Sequence, residues 1–246
     1  MGKFLITGGT PLQGEINVSG AKNAALPIMT AALMADGPSK LLDIPMLRDV
    51  KNLCEIMKKM GCRVEQNGNE LLIDPTNLSK PEADHDLARK LRASYYILGV
   101  LLAKKNWART SLPGGCNIGN RPIDLHLKGF KALGAEVNLD HGIVEVKADK
   151  LAGDRIYLDY PSVGATINIM LAACMAEGTT IIENSAREPE IVDLANYLTV
   201  MGAKIKGVGT DIVKIEGVKS LRGAEHRIIP DRIEAGTFMM AAALTK

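Results

Sequence analysis

The chain has 246 residues, of which 46% are hydrophobic and 24% charged, and its formal net charge at pH 7 is +2. This length and apolar content predict one large or two modest globular domains with a substantial core. No basic tract indicates nucleic-acid binding, and the longest apolar run, Tyr95 to Ala103, is too short to span a membrane.

The cysteines and the N-terminus favour a reducing, cytoplasmic setting. None of the four cysteines belongs to a C-x-x-C pair, and Cys54 and Cys174 fall in apolar helical patterns, where a free cysteine behaves as a small hydrophobe. The first residues, MGKFLITGG, contain too short an apolar run for a signal peptide. Because the cysteines show no paired pattern, we expect no disulfide framework. The histidines show no metal-ligand spacing, so we expect no metal site.

Three segments follow one plan: an apolar helix, a strand, a second helix that ends at a glycine, and two short alternating strands. They cover residues 21–74, 91–147 and 162–217. The second helices carry apolar stripes at helical spacing, namely Val50, Leu53, Cys54 and Met57; Ile123, Leu127 and Phe130; and Ile191, Leu194, Ala195 and Leu198. Gly61, Gly134 and Gly202 stand where helix-ending glycines are typical. The repetition predicts an α/β domain built from three like units.

The second repeat carries an insertion in the loop GGCNIGN. Pro113 to Gly134 spans 21 residues, whereas Pro45 to Gly61 in the first repeat spans only 16. An excess confined to one loop indicates either a functional insertion or a tolerated surface insertion. Cys116 lies in this loop among glycines, which permit backbone conformations that other residues avoid. A cysteine in the core would not need such neighbours, so Cys116 is a candidate reactive thiol.

Basic residues stand at the predicted starts of several helices. The first helices of the three repeats begin near Lys22, near Arg92 and near Ser162, and Arg121 with Pro122 opens the second helix of repeat two. Like units packed around a pseudo-threefold axis would bring these starts to one side of the domain. Free backbone N–H groups, helix dipoles and cationic side chains then predict an anion site for phosphate or carboxylate.

Six stretches of the sequence are similar to one family. They are SGAKNAALP at 19–27, LRAS at 91–94, LPGGCNIGNRPIDLH at 112–126, SVGATINIM at 162–170, EGTTIIENSAREPEIVDLANYL at 177–198 and PDRIEAGTF at 230–238. They closely resemble the UDP-N-acetylglucosamine enolpyruvyltransferases, and the similarity runs through nearly the whole chain. The resemblance implies an inside-out α/β barrel domain of three βαβαββ-type repeats, a fold shared with the shikimate-pathway enolpyruvyl enzyme.

The resemblance also implies a reaction. Enolpyruvyl moves from phosphoenolpyruvate to the 3′-hydroxyl of UDP-N-acetylglucosamine with release of phosphate, without a metal or organic cofactor. This is the first committed step of peptidoglycan synthesis, so the resemblance connects the chain with cell-wall biogenesis, cell shape, the cell cycle and cell division, and makes it a fosfomycin target. The implied partners are these two small molecules, with neither nucleic acid nor a membrane, and no oligomeric state is implied.

Residue roles follow from the matching positions. Cys116 resembles the loop cysteine that protonates the vinyl carbon of phosphoenolpyruvate, can add to it, and is alkylated by fosfomycin; the residues alone leave acid and nucleophile both open. Lys22 and Arg121 resemble the groups that hold phosphate and carboxylate. The remaining expected substrate contacts are Asn23, Arg92, Pro122, Ile123, Asp124, Leu125, Ser162, Val163 and Gly164.

The family has two domains with the active site between them, and this implies a division of the chain. We expect residues 1–21 to be strands of the second domain, residues 22–229 to form the cysteine-loop domain, and residues 230–246 to begin the truncated remainder of the second domain. The carboxylate that would deprotonate the sugar hydroxyl lies outside this chain, so the 246-residue chain alone is expected to have negligible transferase activity.

Three alternatives remain at this point. A non-catalytic UDP-sugar-binding domain would keep the nucleotide surface without the chemistry. A cysteine hydrolase would use Cys116 as nucleophile and His126 as base. The sister enzyme of the shikimate pathway shares the fold, but it does not explain the cysteine loop.

Overall fold

The computed structural model of the chain describes residues 3–9, 13–112 and 122–245. The helices in these ranges are α1 (Lys22–Ala31), α2 (Arg48–Lys59), α3 (His85–Lys90), α4 (Tyr96–Lys105), α5 (Asp124–Ala132), α6 (Val163–Ala173), α7 (Pro189–Met201) and α8 (Arg232–Thr245). The strands are β1 (Ser39–Leu42), β2 (Arg63–Asn67), β3 (Glu70–Asp74), β4 (Trp107–Ser111), β5 (Glu136–Asp140), β6 (Ile143–Lys147), β7 (Arg155–Tyr157), β8 (Thr179–Glu183), β9 (Lys204–Lys206), β10 (Ile212–Glu216) and β11 (Glu225–Arg227).

The strands form three small sheets, one for each repeat. Their orders are β11-β1-β3-β2, β4-β6-β5 and β7-β8-β10-β9. The pairs β11–β1 and β7–β8 are parallel and the others antiparallel. In the middle sheet, a parallel bridge between Glu82 and Arg109 occupies the place that β11 and β7 have in the other two sheets. Along the chain, only the third unit has the complete βαβαββ order, because β11 of the first sheet comes from the end of the three repeats. The predicted α/β fold of three like units is confirmed.

The first helices of the repeats occupy the interior. Nearly every residue of α1, α4 and α6 is buried. A helix that is apolar on all sides needs cover on all sides, so these helices lie inside while the sheets lie outside. The second helices are amphipathic, as predicted. The stripes of α2 and α7 are buried, and in α5 Phe130 is buried while Ile123 and Leu127 pack against the core from partly buried positions.

The predicted helix ends are confirmed. Gly61, Gly134 and Gly202 follow α2, α5 and α7 with φ values of +102°, +92° and +114°. Glycine adopts this left-handed conformation without the steric cost of a Cβ. The starts of α1 at Lys22 and α6 at Val163 also agree with the sequence.

The first helix of repeat two begins as expected near Arg92: residues 92–95 form a 3-10 turn that leads directly into α4 at Tyr96. Residues 3–9 and 13–19 form no strand in this structure, and Gly20 makes a single bridge to Pro230. A strand requires hydrogen-bonding neighbours, and within the described ranges no other strand lies beside this segment. Their assignment to strands of a second domain stays a prediction. The sequence analysis missed α3, whose N-cap Asp84 accepts a hydrogen bond from the backbone of Leu87.

Close helix contacts in the interior depend on glycine. A Cβ added at Gly99 of α4 would lie 2.4 Å from the side-chain oxygen of Asn168 and 2.5 Å from its backbone oxygen on α6. A Cβ at Gly129 of α5 would lie 2.2 Å from Ile169. All three distances are shorter than any normal contact. α4 and α5 can therefore approach α6 this closely only because residues 99 and 129 have no Cβ.

We predict that Gly99→Ala lowers the free energy of unfolding by about 1–3 kcal/mol, since backbone atoms obstruct the added methyl group. Urea denaturation monitored by circular dichroism measures the change. Gly236→Ala on α8 is the matched control, because a Cβ there meets nothing within 4 Å and alanine is the better helix former. Equal stability of Gly99→Ala and the wild type would contradict the proposed close approach.

Candidate functional site

A cleft of about 550 Å³ lies at the N-terminal ends of the inner helices. It collects residues from all three repeats, including Lys22 and Asn23 at the start of α1, Arg92 in the 3-10 turn, and Val163 and Gly164 at the start of α6. The other lining residues are Leu26, Pro27, Asp49, Lys90, Ala93, Tyr95, Tyr96, Glu188, Glu190 and Arg232. The starts of the first helices of the three repeats, which the sequence placed on one side of the domain, thus meet in one cleft.

Carboxylates balance the cations in this cleft. Lys22 Nζ lies 3.2 Å from Asp49 Oδ2, and both side chains are about two-fifths exposed, at 41% and 37%. Arg232 forms a two-point pair with buried Glu190, with Nε–Oε1 at 2.9 Å and Nη2–Oε2 at 3.4 Å. Within the described part of the chain, Arg92 makes no ion pair. The half-exposed pair of Lys22 is worth only about 0–1 kcal/mol, so an anionic ligand can displace Asp49 at little cost.

The helix starts themselves supply backbone donors. Ala21, which precedes α1, makes no side-chain cap, and Lys22 N contacts Asp231 Oδ2 only at 3.4 Å. At α6 the Ser162 hydroxyl accepts a hydrogen bond from Ala165 N at 3.3 Å. The first N–H groups of a helix have no partner within the helix, so those of Val163 and Gly164 are available at the cleft.

The sequence as a whole matches a family of known enzymes. The family model described as EPSP synthase (3-phosphoshikimate 1-carboxyvinyltransferase) matches residues 6–246. The chain belongs to the EPSP synthase family. Its three-unit architecture, with inner helices and outer sheets, is the fold of this family.

Two individual members of the family are similar to the chain over nearly its whole length. The chain is 81% identical over all 246 residues to the UDP-N-acetylglucosamine 1-carboxyvinyltransferase of Halothermothrix orenii. It is 55% identical over 245 residues to UDP-N-acetylglucosamine 1-carboxyvinyltransferase 3 of Caldanaerobacter subterraneus subsp. tengcongensis. The chain spans 59% of the length of each of these relatives.

Solved structures of the family show the same fold. The enolpyruvyl transferase NikO of Streptomyces tendae superposes with a TM-score of 0.85 at 26% identity, over 95% of this chain and 56% of NikO. EPSP synthase of Acinetobacter baumannii superposes with a TM-score of 0.75 at 21% identity, over 97% of this chain and 55% of that enzyme.

The remaining expected site residues lie beside the cleft or at the start of α5. Ser162 caps α6 directly beside the cleft. Pro122, Ile123, Asp124 and Leu125 form the approach and first turn of α5, and none of them is among the described residues that line the cleft. The Leu125 side chain is only 3% exposed, because it faces the core side of the helix. Any ligand contact by Leu125 therefore has to come from its backbone.

Cys116 and Arg121 lie outside the described residues, so their predicted roles stay predictions. Among the described residues, no group of three or more His, Cys, Asp or Glu side chains could hold a metal ion. None of the described helices combines the length and the apolar character that crossing a bilayer requires.

The sequence analysis missed several charged residues of the cleft. Asp49 lies in the first turn of α2 and Glu190 in the first turn of α7. Both acids lie at the start of a repeat's second helix, as the sequence predicts for Arg121 and Pro122 in repeat two, so the repeat pattern contains the signal for them. Arg232 falls within a quoted family motif, but its pairing with Glu190 joins residues 42 positions apart and required the tertiary structure.

His126 is buried beneath this cleft. Its ring is 5% exposed, and burial, followed by the nearby charge of Arg92, lowers its pKa from 6.5 to about 3. The ring is therefore neutral in the folded protein at physiological pH.

We predict that Asp49→Asn strengthens the binding of inorganic phosphate by up to about fivefold, because phosphate no longer has to displace the Asp49 carboxylate from its ion pair with Lys22. Isothermal titration calorimetry of the purified chain measures the affinity. Asp159→Asn is the matched control, since it removes a similar exposed pair, Lys128–Asp159, that does not line the cleft. Unchanged or weaker phosphate binding by Asp49→Asn would show that Asp49 does not compete for Lys22.

The lowered pKa of His126 predicts a pH dependence of stability. The unfolded chain binds a proton on this ring below pH 6.5, whereas the folded chain does so only near pH 3. The stability contributed by the neutral ring is thus complete above pH 6.5 and is lost as the pH falls toward 3, by at most about 1.4 kcal/mol per pH unit. Urea denaturation between pH 6.5 and 5 should show a smaller slope in His126→Gln. His141→Gln, which removes an exposed ring, is the matched control for the loss of one histidine.

Proposed function

We propose that this chain is the substrate-binding part of a UDP-N-acetylglucosamine 1-carboxyvinyltransferase, which moves enolpyruvyl from phosphoenolpyruvate to the sugar 3′-hydroxyl and releases phosphate. The observation that carries the proposal is the cleft where Lys22, Asn23, Arg92 and the start of α6 converge. The 81% identity to a protein of that name supports the choice of substrates. Both proposed substrates are anions, and the cleft offers cations and helix starts to receive them.

In the proposed reaction, the sugar hydroxyl oxygen adds to C2 of phosphoenolpyruvate and its proton passes to the carboxylate expected outside this chain, while the vinyl CH₂ carbon takes a proton from Cys116. The Cys116 thiolate then takes a proton from the resulting methyl group as phosphate departs, which restores the double bond and regenerates the thiol. Lys22 and Arg121 would hold the phosphate and carboxylate through these steps. Their charges would offset the phosphate and carboxylate charges of the tetrahedral intermediate and keep these groups in place while it forms and breaks down.

Nucleotide-sugar binding falls to the other predicted residues. The backbone N–H groups of Val163 and Gly164, with Arg92 beside them, form a cationic corner suited to a diphosphate. The exposed start of α5, at Pro122 and Asp124, presents polar groups on the same repeat. Asn23 would contact substrate at the start of α1.

We also propose that both ends of the chain belong to a second domain. No residue of α8 is buried, and it exposes apolar side chains such as Phe238, Met239 and Leu244. Phe4, Leu5 and Ile6 are 96%, 98% and 86% exposed. An apolar helix stripe normally packs against another element, and the chain spans only 59% of the length of the two carboxyvinyltransferases described above. Residues 1–21 and 230–246 would pack in that domain, and Gly20 and Pro230, which already bridge, would mark the boundary.

The expected setting of the activity follows from the proposed reaction. A step that builds a peptidoglycan precursor from nucleotide-bound sugar belongs in the cytoplasm and contributes to the cell wall, cell shape and cell division. The same reaction makes the protein a candidate fosfomycin target through Cys116.

The second candidate is a UDP-sugar-binding domain without catalysis. The nucleotide corner at the start of α6 is compatible with it. The retention of Lys22, Arg121 and Cys116 favours the transferase, because a binding domain needs no proton donor. The hydrolase alternative gains nothing from the structure, since His126 is buried and its pKa, lowered to about 3, makes it a weak base.

Fosfomycin labelling tests the proposal. We predict that fosfomycin modifies Cys116 and that saturating UDP-N-acetylglucosamine accelerates the modification, as peptide mass spectrometry would show. Cys54, Cys62 and Cys174 are internal controls: all three are buried, and burial raises their thiol pKa values to about 11, 11 and 12, so they carry little thiolate at neutral pH. The variant Cys116→Ala should remain unlabelled.

The outcomes separate the candidates. Labelling of Cys116 that UDP-N-acetylglucosamine does not accelerate would contradict a transferase site shared by thiol and nucleotide. Equal labelling of all four cysteines would indicate unfolding rather than a site.

A further inference from the structure

A buried polar cluster lies directly beneath the nucleotide corner. Its centre is Asn168 of α6, whose side chain has no exposed surface. The amide oxygen of Asn168 accepts a hydrogen bond from Gly99 N at 3.0 Å. Its amide nitrogen donates to Tyr95 O at 2.9 Å and contacts His126 Nδ1 at 3.1 Å. One side chain thus connects α4, α5 and α6.

The orientation of the Asn168 amide is determined by the backbone. Gly99 offers only an N–H, which requires an acceptor, and Tyr95 offers only a carbonyl, which requires a donor. Exchanging the amide oxygen and nitrogen would set two donors against each other at Gly99 and two acceptors at Tyr95. The amide nitrogen therefore lies toward Tyr95 and His126, and its second hydrogen is directed to His126 Nδ1.

This orientation selects the tautomer of His126. A ring nitrogen that receives an N–H hydrogen cannot itself carry a proton, so Nδ1 is the acceptor. The proton of the neutral ring is then on Nε2. The Tyr95 ring packs edge-on against the imidazole, with the ring centroids 4.7 Å apart, and restricts its rotation.

The protonated nitrogen faces the start of α6. A Cβ added at Gly164 would lie 3.0 Å from His126 Nε2, 2.9 Å from its Cε1 and 2.9 Å from the Tyr95 hydroxyl. The imidazole and the phenol therefore support the first turn of α6 from below. The opposite side of the same turn, at Val163 and Gly164, lines the cleft.

We propose that Asn168 and His126 are positioning residues: Asn168 holds His126 as the neutral Nε2–H tautomer, and the ring sets the position of the first turn of α6 at the cleft. In the proposed function, this turn receives the diphosphate of the nucleotide sugar. That last link depends on the proposed function, whereas the tautomer and the position of the turn do not.

Nuclear magnetic resonance of the imidazole nitrogens tests the first step. In the 246-residue chain at pH 7, long-range ¹H–¹⁵N correlation should show His126 with a protonated Nε2 and an unprotonated Nδ1. The variant His126→Gln assigns the signal by its loss. A protonated Nδ1 on His126, in either the other neutral form or the imidazolium, overturns the inference.

Two matched variants test the second step. His126→Gln retains a neutral side chain that can accept the hydrogen bond of the Asn168 amide, whereas His126→Leu leaves that buried N–H without a partner. The backbone amide signals of Val163 and Gly164 should shift in His126→Leu and stay closer to wild type in His126→Gln. Equal shifts in both variants would mean that the hydrogen bond with Asn168 does not set the position of the turn, and would overturn the positioning role. Thermal melts of both variants verify that each is folded; should His126→Leu fail to fold, His126→Phe takes its place as the variant without an acceptor.

Binding of UDP-N-acetylglucosamine connects the cluster with the proposed function. Calorimetry should show about tenfold weaker binding by His126→Leu, the effect of one misplaced hydrogen-bond donor, and a change of less than about threefold by His126→Gln. Equal affinities in wild type and both variants would overturn the link to ligand. If the wild-type chain binds neither UDP-N-acetylglucosamine nor UDP, the proposed function fails, and the resonance measurements still decide the inference.

Discussion

The close approach of the inner helices is the constraint on which the rest of this structure depends. α4 contacts both α1 and α6. Gly99 lies where α4 meets α6 and Gly129 lies where α5 meets α6, and a side chain at either position would obstruct the contact. Because the helices can lie this close, their N-terminal ends meet rather than diverge. The cleft is the space above those ends, so its width and the direction of its backbone donors are consequences of interior packing.

Electrostatics then determine what this space can hold. Helix starts and cationic side chains make the cleft attractive to anions, but Asp49, Glu188 and Glu190 offset part of that charge. The two ion pairs of the cleft differ in how readily they can be broken. The half-exposed Lys22–Asp49 pair exchanges partners readily, whereas Glu190 is buried and contacts Arg232 at two points. Removing one partner from a buried pair leaves an uncompensated charge, so we interpret the latter as structural. Lys22, and Arg92, which makes no ion pair within the described residues, are therefore the cations available to a ligand.

The polar cluster around Asn168 shows how the interior and the cleft are connected. A core made only of apolar side chains would permit small rotations of α6 about its axis. Three directional hydrogen bonds from one buried amide restrict such motion, since each would lose its geometry and leave an unsatisfied group. The arrangement keeps a histidine beneath the cleft without adding a positive charge at neutral pH, because burial and Arg92 together hold its pKa far below neutrality.

The sequence by itself determined the three-unit architecture, the second helices and their glycine ends, since apolar periodicity and glycine signals are local and repeat three times. The same repetition predicted that Lys22, Arg92 and the start of α6 would meet. Only the tertiary structure decided the partners of these groups. Lys22–Asp49, Glu190–Arg232 and Asn168–His126 join residues 27, 42 and 42 positions apart, and no local pattern encodes which side chains will face each other. The 3-10 turn at Arg92 and the absence of strands in residues 3–9 and 13–19 likewise follow from neighbours in space, because backbone pairing depends on what lies beside a segment rather than on the segment alone.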